Sequence, residues 1–195
     1  MNHDLAINYY GKGIIYKDEA KLLLEYSLFA ASPVVEVGTL RGGTALLLAM
    51  NLWLYSREAI VISIDKVTRW HRTYNKWLQK GNIDLLELKR LFFLKGDACQ
   101  IIEDQDIKPG MVFLDGCHCY DCVMKDIAQL RDRIQPGGYW AFHDIALEGS
   151  VQPKKLIHGG RLFQVAKAIT DSALNEFSLI DETHNMHVYQ KHEPS

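Results

Sequence analysis

Four aspartates stand at or just past the ends of short apolar runs, and they are the strongest chemical signal in the sequence; they are Asp65, Asp97, Asp115 and Asp144. The runs are rich in β-branched and aromatic residues and alternate with helical patterns, which predicts a parallel sheet with helices on both faces. In such sheets, ligands bind at the carboxyl ends of the strands. One such aspartate could be an N-cap for the following helix, but four together indicate a ligand site.

A glycine-rich turn follows the first predicted strand. The β-branched run at residues 34–37 ends at Gly38, two more glycines follow at Gly42 and Gly43, and an apolar segment of helical length covers residues 45–54. This pattern predicts a strand, a tight loop and a helix, and its glycines let the loop approach a ligand closely. A turn with a purely structural role explains such a short pattern as well, so other parts of the sequence must distinguish it from a ligand-binding loop.

Glu36 distinguishes this turn from a dinucleotide-binding loop. The pattern is Glu-x-Gly-x-x-x-Gly, with a carboxylate two residues before the first glycine. Dinucleotide loops aim helix N–H groups at a pyrophosphate, and a carboxylate is a poor neighbour for phosphate. It suits a cation or an ammonium group, and S-adenosylmethionine carries a sulfonium and an amino group but no phosphate.

The predicted fold is α/β, with a doubly wound, Rossmann-like sheet that is mostly parallel and has a reversed last strand. We predict five strands at residues 34–38, 59–65, 91–94, 111–116 and 139–144, and a closing antiparallel hairpin at 176–181 and 186–190. Helices are predicted at 17–31, 44–54, 68–78, 83–90, 99–103, 120–134 and 161–174, and a glycine- and lysine-rich loop at 145–160. We expect one domain over residues 1–195, with an irregular arm at 1–16.

The composition limits the classes of partner. The chain has 195 residues, a net charge of −2 and a pI near 6.4, which does not indicate a nucleic-acid or membrane-surface protein. Its start lacks a signal-peptide pattern, and its longest apolar run is too short to span a bilayer. We therefore expect a cytoplasmic protein that acts on a small molecule, and the sequence leaves a homo-oligomer open.

Three of the four cysteines are crowded together. Cys119 and Cys122 have the spacing of a zinc-ligand pair, with Cys117 just before them. Structural zinc sites usually combine two such pairs, and the sequence has no second one. We therefore interpret these residues as small, half-buried thiols at a strand-to-helix turn.

With these motifs in this order, the chain resembles the class I S-adenosylmethionine-dependent methyltransferases over roughly residues 30–191. The resemblance implies the following cofactor-binding residues: Glu36, Gly38, Thr39, Arg41, Gly42, Gly43, Thr44, Asp65, Asp97, Ala98 and Asp115. It assigns Asp65 to the ribose hydroxyls and the Gly96-Asp97-Ala98 segment to the adenine. The reversed last strand also resembles this family and not the dinucleotide-binding sheets.

A narrower resemblance points to one subfamily. Residues 113–126 contain a DG-x-H-x-Y…D pattern, and residues 136–144 contain Pro-Gly-Gly followed by His143-Asp144. Both are similar to macrolide-sugar and cephalosporin-type methyltransferases. In metal-dependent members, acids at the positions of Asp115 and Asp144 bind Mg²⁺, and the histidine at the position of His118 is the general base. Here His143 stands where those members often carry a second acid.

The chemistry fits O-methylation of a small hydroxylated metabolite. A hydroxyl nucleophile needs a base, and His118 lies three residues after a strand-end acid and is a residue type that exchanges protons near neutral pH. A bound Mg²⁺ would lower the pKa of the attacking oxygen. The alternatives left open are a histidine that only bonds a loop carbonyl, a cofactor-binding protein without methyl transfer, and an NAD-type oxidoreductase.

Overall fold

The computed structural model describes residues 15–67, 89–150 and 161–194. The helices in these ranges are α1 (Lys17–Phe29), α2 (Gly43–Leu54), α3 (Ala98–Asp104), α4 (Tyr120–Leu130) and α5 (Val165–Asp171). The strands are β1 (Val34–Val37), β2 (Val61–Asp65), β3 (Leu91–Lys95), β4 (Met111–Leu114), β5 (Tyr139–His143), β6 (Phe177–Glu182) and β7 (Met186–Lys191). A short 3₁₀ helix, Ile145–Leu147, follows β5.

The seven strands form one sheet in the order β3-β2-β1-β4-β5-β7-β6. The strands from β3 to β5 pair in parallel, and β7 is antiparallel to both β5 and β6. This confirms the predicted Rossmann-like sheet with a reversed last strand. The chain winds outward in opposite directions from β1 and β4, so the topological switch point lies between these strands, where doubly wound folds bind ligands.

Two apolar clusters cover the two faces of the sheet. One contains buried side chains of α1 and α2, and the other contains those of α3, α4 and α5. All four residues of β1 are buried, as expected for a central parallel strand covered on both sides. The core therefore fixes β1 and β4 rigidly and leaves their carboxyl ends at the edge where the loops emerge.

Three helices are shorter than the sequence predicts, and α1 ends at Phe29 and not at residue 31. Helix α4 ends at Leu130 and not at residue 134, although Ile134 is buried and continues the apolar stripe. Helix α5 does not include residues 161–164, because both backbone groups of Phe163 pair with Gly149 and Ser150. At its other end, Ala173 adopts a left-handed conformation that helices do not continue.

Several predictions fall outside the described residues. They are most of the arm at 1–16, the helix at 68–78, most of the helix at 83–90 and the second part of the loop at 145–160. The single-domain organisation stays a prediction. In the described ranges, the structure has no helix with the length and apolar character that a membrane crossing requires.

Candidate active site

His118 lies between two carboxylates at the ends of adjacent strands. Its Nδ1 atom is 3.1 Å from Asp144 Oδ2, and its Nε2 atom is 3.4 Å from Asp115 Oδ1. The ring stacks on Phe163, with the centroids 4.9 Å apart and the planes 20° from parallel. The loop between β4 and α4 carries His118, so the sheet and a packed aromatic ring together fix the imidazole.

The Nε2 atom of His118 is buried and has no hydrogen-bond partner among the described residues. Its contact with Asp115 is close but lacks hydrogen-bond geometry. The contact of Nδ1 with Asp144 is the shorter of the two, so we assign the N–H group to Nδ1, beside that carboxylate. That tautomer leaves a lone pair on Nε2, and a buried acceptor without a donor is costly and unusual.

His143, the last residue of β5, lies on the other side of Asp115. Its Nδ1 atom is 2.9 Å from Asp115 Oδ1, and its Nε2 atom is 3.1 Å from Glu19 Oε2. Burial alone would lower the pKa of His143, but the hydrogen bonds to Asp115 and Glu19 raise it to about 10. The side chain is therefore a buried imidazolium with a carboxylate on each side.

Both carboxylates are charged in this arrangement. Burial would raise the pKa of Asp115, but its close contacts with the imidazole rings of His118 and His143 lower it to about 2. Burial acts in the same way on Glu19, and its hydrogen bond to His143 lowers the pKa below the usual range. The side chains of Glu19, His143 and Asp115 thus form a compact network beneath α1, in which negative and positive charges alternate.

Asp144 owes its orientation to a sharp turn. It directly follows β5 and has φ 61° and ψ 32°, a left-handed conformation that aspartate tolerates better than most residues. Asn185, from the turn before β7, supports it: Asn185 Nδ2 lies 3.3 Å from Asp144 Oδ1, and Asn185 Oδ1 accepts the N–H of Ala146. The reversed strand therefore helps to hold the carboxylate that orients His118.

The glycine-rich loop passes close to this cluster. Gly38 has φ 99°, and a Cβ atom there would lie 2.6 Å from Gly116 Cα, so only glycine fits where β1 and β4 end side by side. Asp65 holds the loop: its Oδ2 atom accepts the N–H groups of Thr39 at 3.0 Å and Leu40 at 2.9 Å. Its Oδ1 atom accepts the N–H of Val67.

Glu36 does not reach the edge of the sheet. It is 1% exposed, and its carboxyl group accepts a hydrogen bond from Ser63, which also bonds Thr39 at 2.7 Å. Burial raises its pKa well above the usual range, so the neutral acid is favoured. The sequence predicts a charged carboxylate beside a cation, which differs from this buried, neutral acid. A role of Glu36 in cofactor binding stays a prediction.

The other predicted cofactor residues lie along the same edge. Gly42, in a left-handed conformation, precedes α2, and Gly43 and Thr44 form the buried first turn of that helix, while Arg41 is exposed. Asp97 caps α3 through the N–H of Gln100, with Ala98 as the first helical residue. Asp97 also pairs with Lys66 and Lys125, each at 3.0 Å, so the N-cap interpretation holds for this aspartate.

Comparison with known proteins identifies the family. The model of a family described as "Methyltransferase domain" matches residues 35–145, from β1 to the residue after Asp144. The chain belongs to this methyltransferase family. No curated protein matches the sequence.

Solved structures share the fold of this methyltransferase. The O-methyltransferase TomG from Streptomyces achromogenes, involved in tomaymycin synthesis and solved with S-adenosylmethionine, is 14% identical. The match covers 97% of this chain and 87% of that one, with a TM-score of 0.65. An O-methyltransferase from Bacillus cereus, in complex with S-adenosylhomocysteine, is 14% identical, with 97% and 90% covered and a TM-score of 0.65.

A third similar structure is longer. The mycinamycin-pathway methyltransferase MycE, solved with Mg, S-adenosylhomocysteine and mycinamycin VI, is 16% identical, with a TM-score of 0.63. The match covers 99% of this chain but only 54% of that one. At these identities the three structures show a shared fold, which extends over nearly the whole methyltransferase chain.

Sequence reasoning missed three residues of the site. Glu19 is in the first turn of α1, where its carboxylate also accepts the N–H of Tyr16 at 2.7 Å. Asn185 lies in a hairpin turn, and Phe163 lies in a segment interpreted as helix. No local pattern marks these residues, because each reaches the methyltransferase site through tertiary packing from a distant part of the chain.

The donor atoms in the structure do not fit Mg²⁺. Asp115, His118 and Asp144 can bring three ligand atoms within 4.8 Å of one another. One donor is a nitrogen, however, and the Nδ1 atom of His143 lies 2.9 Å from Asp115 and 3.4 Å from Asp144. Mg²⁺ prefers octahedral oxygen coordination, and here an imidazolium lies between the two carboxylates. Metal binding by Asp115 and Asp144 stays a prediction from the resemblance, and the donor atoms of this site do not support it.

Proposed function

We propose that this protein transfers a methyl group from S-adenosylmethionine to a hydroxyl group of a small hydroxylated metabolite, with His118 as the general base. One observation carries the proposal: His118 presents a buried, unpartnered Nε2 atom at the carboxyl edge of the sheet, while Asp144 holds its Nδ1 atom at 3.1 Å. A base must have a free lone pair directed at the hydroxyl proton, and this is what a carboxylate-oriented imidazole supplies.

The cofactor site fits the residues that line this edge. Gly38 lets β1 end against Asp115, and Asp65 fixes the backbone of the loop that follows. Asp65 Oδ2 already accepts two N–H groups and Oδ1 accepts one, so the remaining lone pair for a ribose hydroxyl is on Oδ1. Bound S-adenosylmethionine supplies an electrophilic methyl group on a positively charged sulfur, which leaves as a neutral thioether and needs no acid.

The chain's own residues then have three tasks. His118 Nε2 takes the proton of the acceptor hydroxyl as the oxygen forms its bond to the methyl carbon. Asp144 stabilises the imidazolium that results, as the carboxylate of a catalytic triad does. The rigid strand ends hold the acceptor in line with the methyl group, and positioning of this kind can supply much of the rate of a displacement.

The substrate class and the location rest on the same proposal. The similar structures named above include O-methyltransferases, which supports a hydroxyl acceptor of small size. We propose no nucleic-acid partner, because the net charge is −2, and we leave oligomerisation to measurement. We propose a cytoplasmic location, where the thiols of this chain stay reduced.

Two measurements test the proposal. Quenching of tryptophan fluorescence should show saturable binding of S-adenosylhomocysteine and none of NADH. Labelled S-adenosylmethionine should then transfer its methyl group to at least one member of a panel of catechols, hydroxylated aromatic acids and sugars. Binding without transfer to any hydroxyl, or saturable binding of NADH alone, would contradict the proposed reaction.

A further inference from the structure

The three crowded cysteines form a sulfur cluster that the methyl-transfer site does not use. Cys117 and Cys119 lie in the loop after β4, and Cys122 lies in the first turn of α4. The Sγ atoms of Cys117 and Cys119 are 3.1 Å apart, and all three Sγ atoms lie within 4.8 Å of one another. Cys119 is 3% exposed, and the other two are half-buried.

The three sulfur atoms lie in the distance range from which metal-bound thiolates can form. Zn²⁺ binds cysteine at about 2.3 Å, which puts neighbouring sulfur ligands of a tetrahedral site about 3.8 Å apart. Small rotations of the side chains would bring all three sulfurs to that distance. Cys99 shows the contrasting case of an ordinary buried thiol, since its Sγ atom donates to Asp126 Oδ1 at 3.4 Å.

The charge around the cluster favours a divalent ion. Arg161 Nη1 lies 3.4 Å from Cys119 Sγ. Three thiolates and one divalent ion carry a net charge of −1, which the guanidinium neutralises. A monovalent soft ion would leave a net negative charge in a partly buried site, which costs free energy.

We propose that Cys117, Cys119 and Cys122 bind one Zn²⁺ ion through three thiolates, with water in the fourth position. The sequence interpretation set zinc aside because the sequence has no second cysteine pair, whereas the structure brings the sulfur of Cys117 close to the sulfurs of Cys119 and Cys122. The bound ion would fix both neighbours of His118 and the start of α4. The site is separate from the group of Asp115, His118 and Asp144, and the proposal does not depend on the methyl-transfer reaction.

Metal titration of the reduced chain tests the site directly. The apo protein, kept under a phosphine reductant, should take up one Zn²⁺ per chain from a chromophoric chelator, and its melting temperature should rise with Zn²⁺. Replacement by Co²⁺ should give sulfur-to-cobalt charge-transfer absorption in the near ultraviolet, together with the visible bands of a tetrahedral ion. This absorption distinguishes thiolate ligands from carboxylate and imidazole ligands.

Matched variants locate the ion. Cys122→Ser removes one ligand at a half-buried position and should weaken Zn²⁺ binding at least about tenfold, since even second-shell changes cost 10–100-fold. Cys117→Ser is a second variant for the case that the first does not fold. Cys99→Ala removes a thiol outside the cluster, and Asp144→Asn alters the other candidate metal group. Both should keep the affinity and the cobalt spectrum.

Three outcomes would overturn the proposal. They are a reduced chain that takes up no Zn²⁺, a cobalt adduct without charge-transfer absorption, and a folded Cys122→Ser variant with the affinity of the wild type. If that variant keeps its affinity while Asp144→Asn loses it, the ion belongs to the acid and imidazole group instead.

Discussion

The Nδ1 atom of His143 lies 2.9 Å from Asp115 Oδ1, so the last residue of β5 supplies a positive charge to the carboxylate at the end of β4. The resemblance to metal-dependent methyltransferases suggested a second acid at the position of His143. With an acid at that position, the neighbouring carboxylates would need a bound cation to neutralise their charge. With an imidazolium there, the protein neutralises Asp115 itself.

We therefore expect this methyltransferase to work without Mg²⁺. After dialysis against EDTA and return of Zn²⁺, methyl transfer should be the same with and without added Mg²⁺. Millimolar Mg²⁺ should not raise the melting temperature, because an ion stabilises a fold only when the fold binds it. Cys99→Ala leaves Asp115 and Asp144 in place and is the control variant for non-specific effects of Mg²⁺. Loss of activity in EDTA that Mg²⁺ restores would support the metal role of Asp115 and Asp144 and contradict the expectation.

Asp65→Ala should weaken the binding of S-adenosylhomocysteine at least about tenfold. The aspartate holds the backbone of Thr39 and Leu40 and is the residue assigned to the ribose, and the loss of a charged hydrogen-bond partner typically costs about 1.5–3 kcal/mol. Isothermal titration calorimetry measures the affinity directly. Asp132→Ala removes an exposed acid after α4 and should bind as the wild type does. An unchanged affinity in a folded Asp65→Ala variant would refute the assignment.

Two glycines with positive φ angles should respond differently to alanine. Gly38 has φ 99° and Gly149 has φ 80°, but a Cβ atom on Gly38 would collide with the backbone of Asp115, whereas Gly149 has open space. Gly149→Ala should lower the free energy of unfolding by about 1–2 kcal/mol, the cost of the left-handed conformation alone. Gly38→Ala should cost about 1–3 kcal/mol more because of overpacking.

Urea denaturation of the two glycine variants measures this difference. Equal losses of stability would show that β1 and β4 can separate at their ends without cost. The close approach of these strands would then not be a rigid feature of the site.

The architecture was largely predictable, because it depends on local patterns. The alternation of strands and helices, the glycine-rich turn and the closing hairpin all leave short-range signals in the sequence. The four aspartates stand at or just past strand ends as predicted, with Asp97 as an N-cap, and their role as a ligand site stays a prediction. The contacts of Glu19 with His143 could not be predicted, because 124 residues separate them and only packing of α1 on the sheet brings them together. The burial of Glu36 could not be predicted from the sequence either, since it depends on both faces of β1 being covered.

Asp126 should make the stability of the fold depend on pH. Burial raises the pKa of this carboxyl group to about 6, above the usual 3.8. The charged form is therefore less favourable in the folded chain than in the unfolded one. The stabilising contribution of the protonated acid is complete below about pH 4 and is lost as the pH rises through about 6.

Asp126→Asn tests this directly, because an amide stays neutral at every pH. We expect the variant to be more stable than the wild type at pH 8, by about 1–3 kcal/mol, and the difference to disappear near pH 4. Thermal or urea unfolding at pH 4, 6 and 8 measures the change, with Asp132→Asn as the exposed control. A difference between variant and wild type that is the same at pH 4 and pH 8 would show that burial does not perturb this group.

His118 accepts the proton of the acceptor hydroxyl in the proposed reaction. The most direct test compares the wild type with His118→Asn in labelled-methyl transfer to the best hydroxylated acceptor from the panel, with S-adenosylhomocysteine affinity measured on the same samples. We predict that kcat falls about 10²–10⁴-fold in the variant, the usual contribution of a general base, while the affinity for S-adenosylhomocysteine stays within about twofold. His187→Asn, on β7, should leave both quantities unchanged. An undiminished kcat in His118→Asn would show that His118 is not the general base.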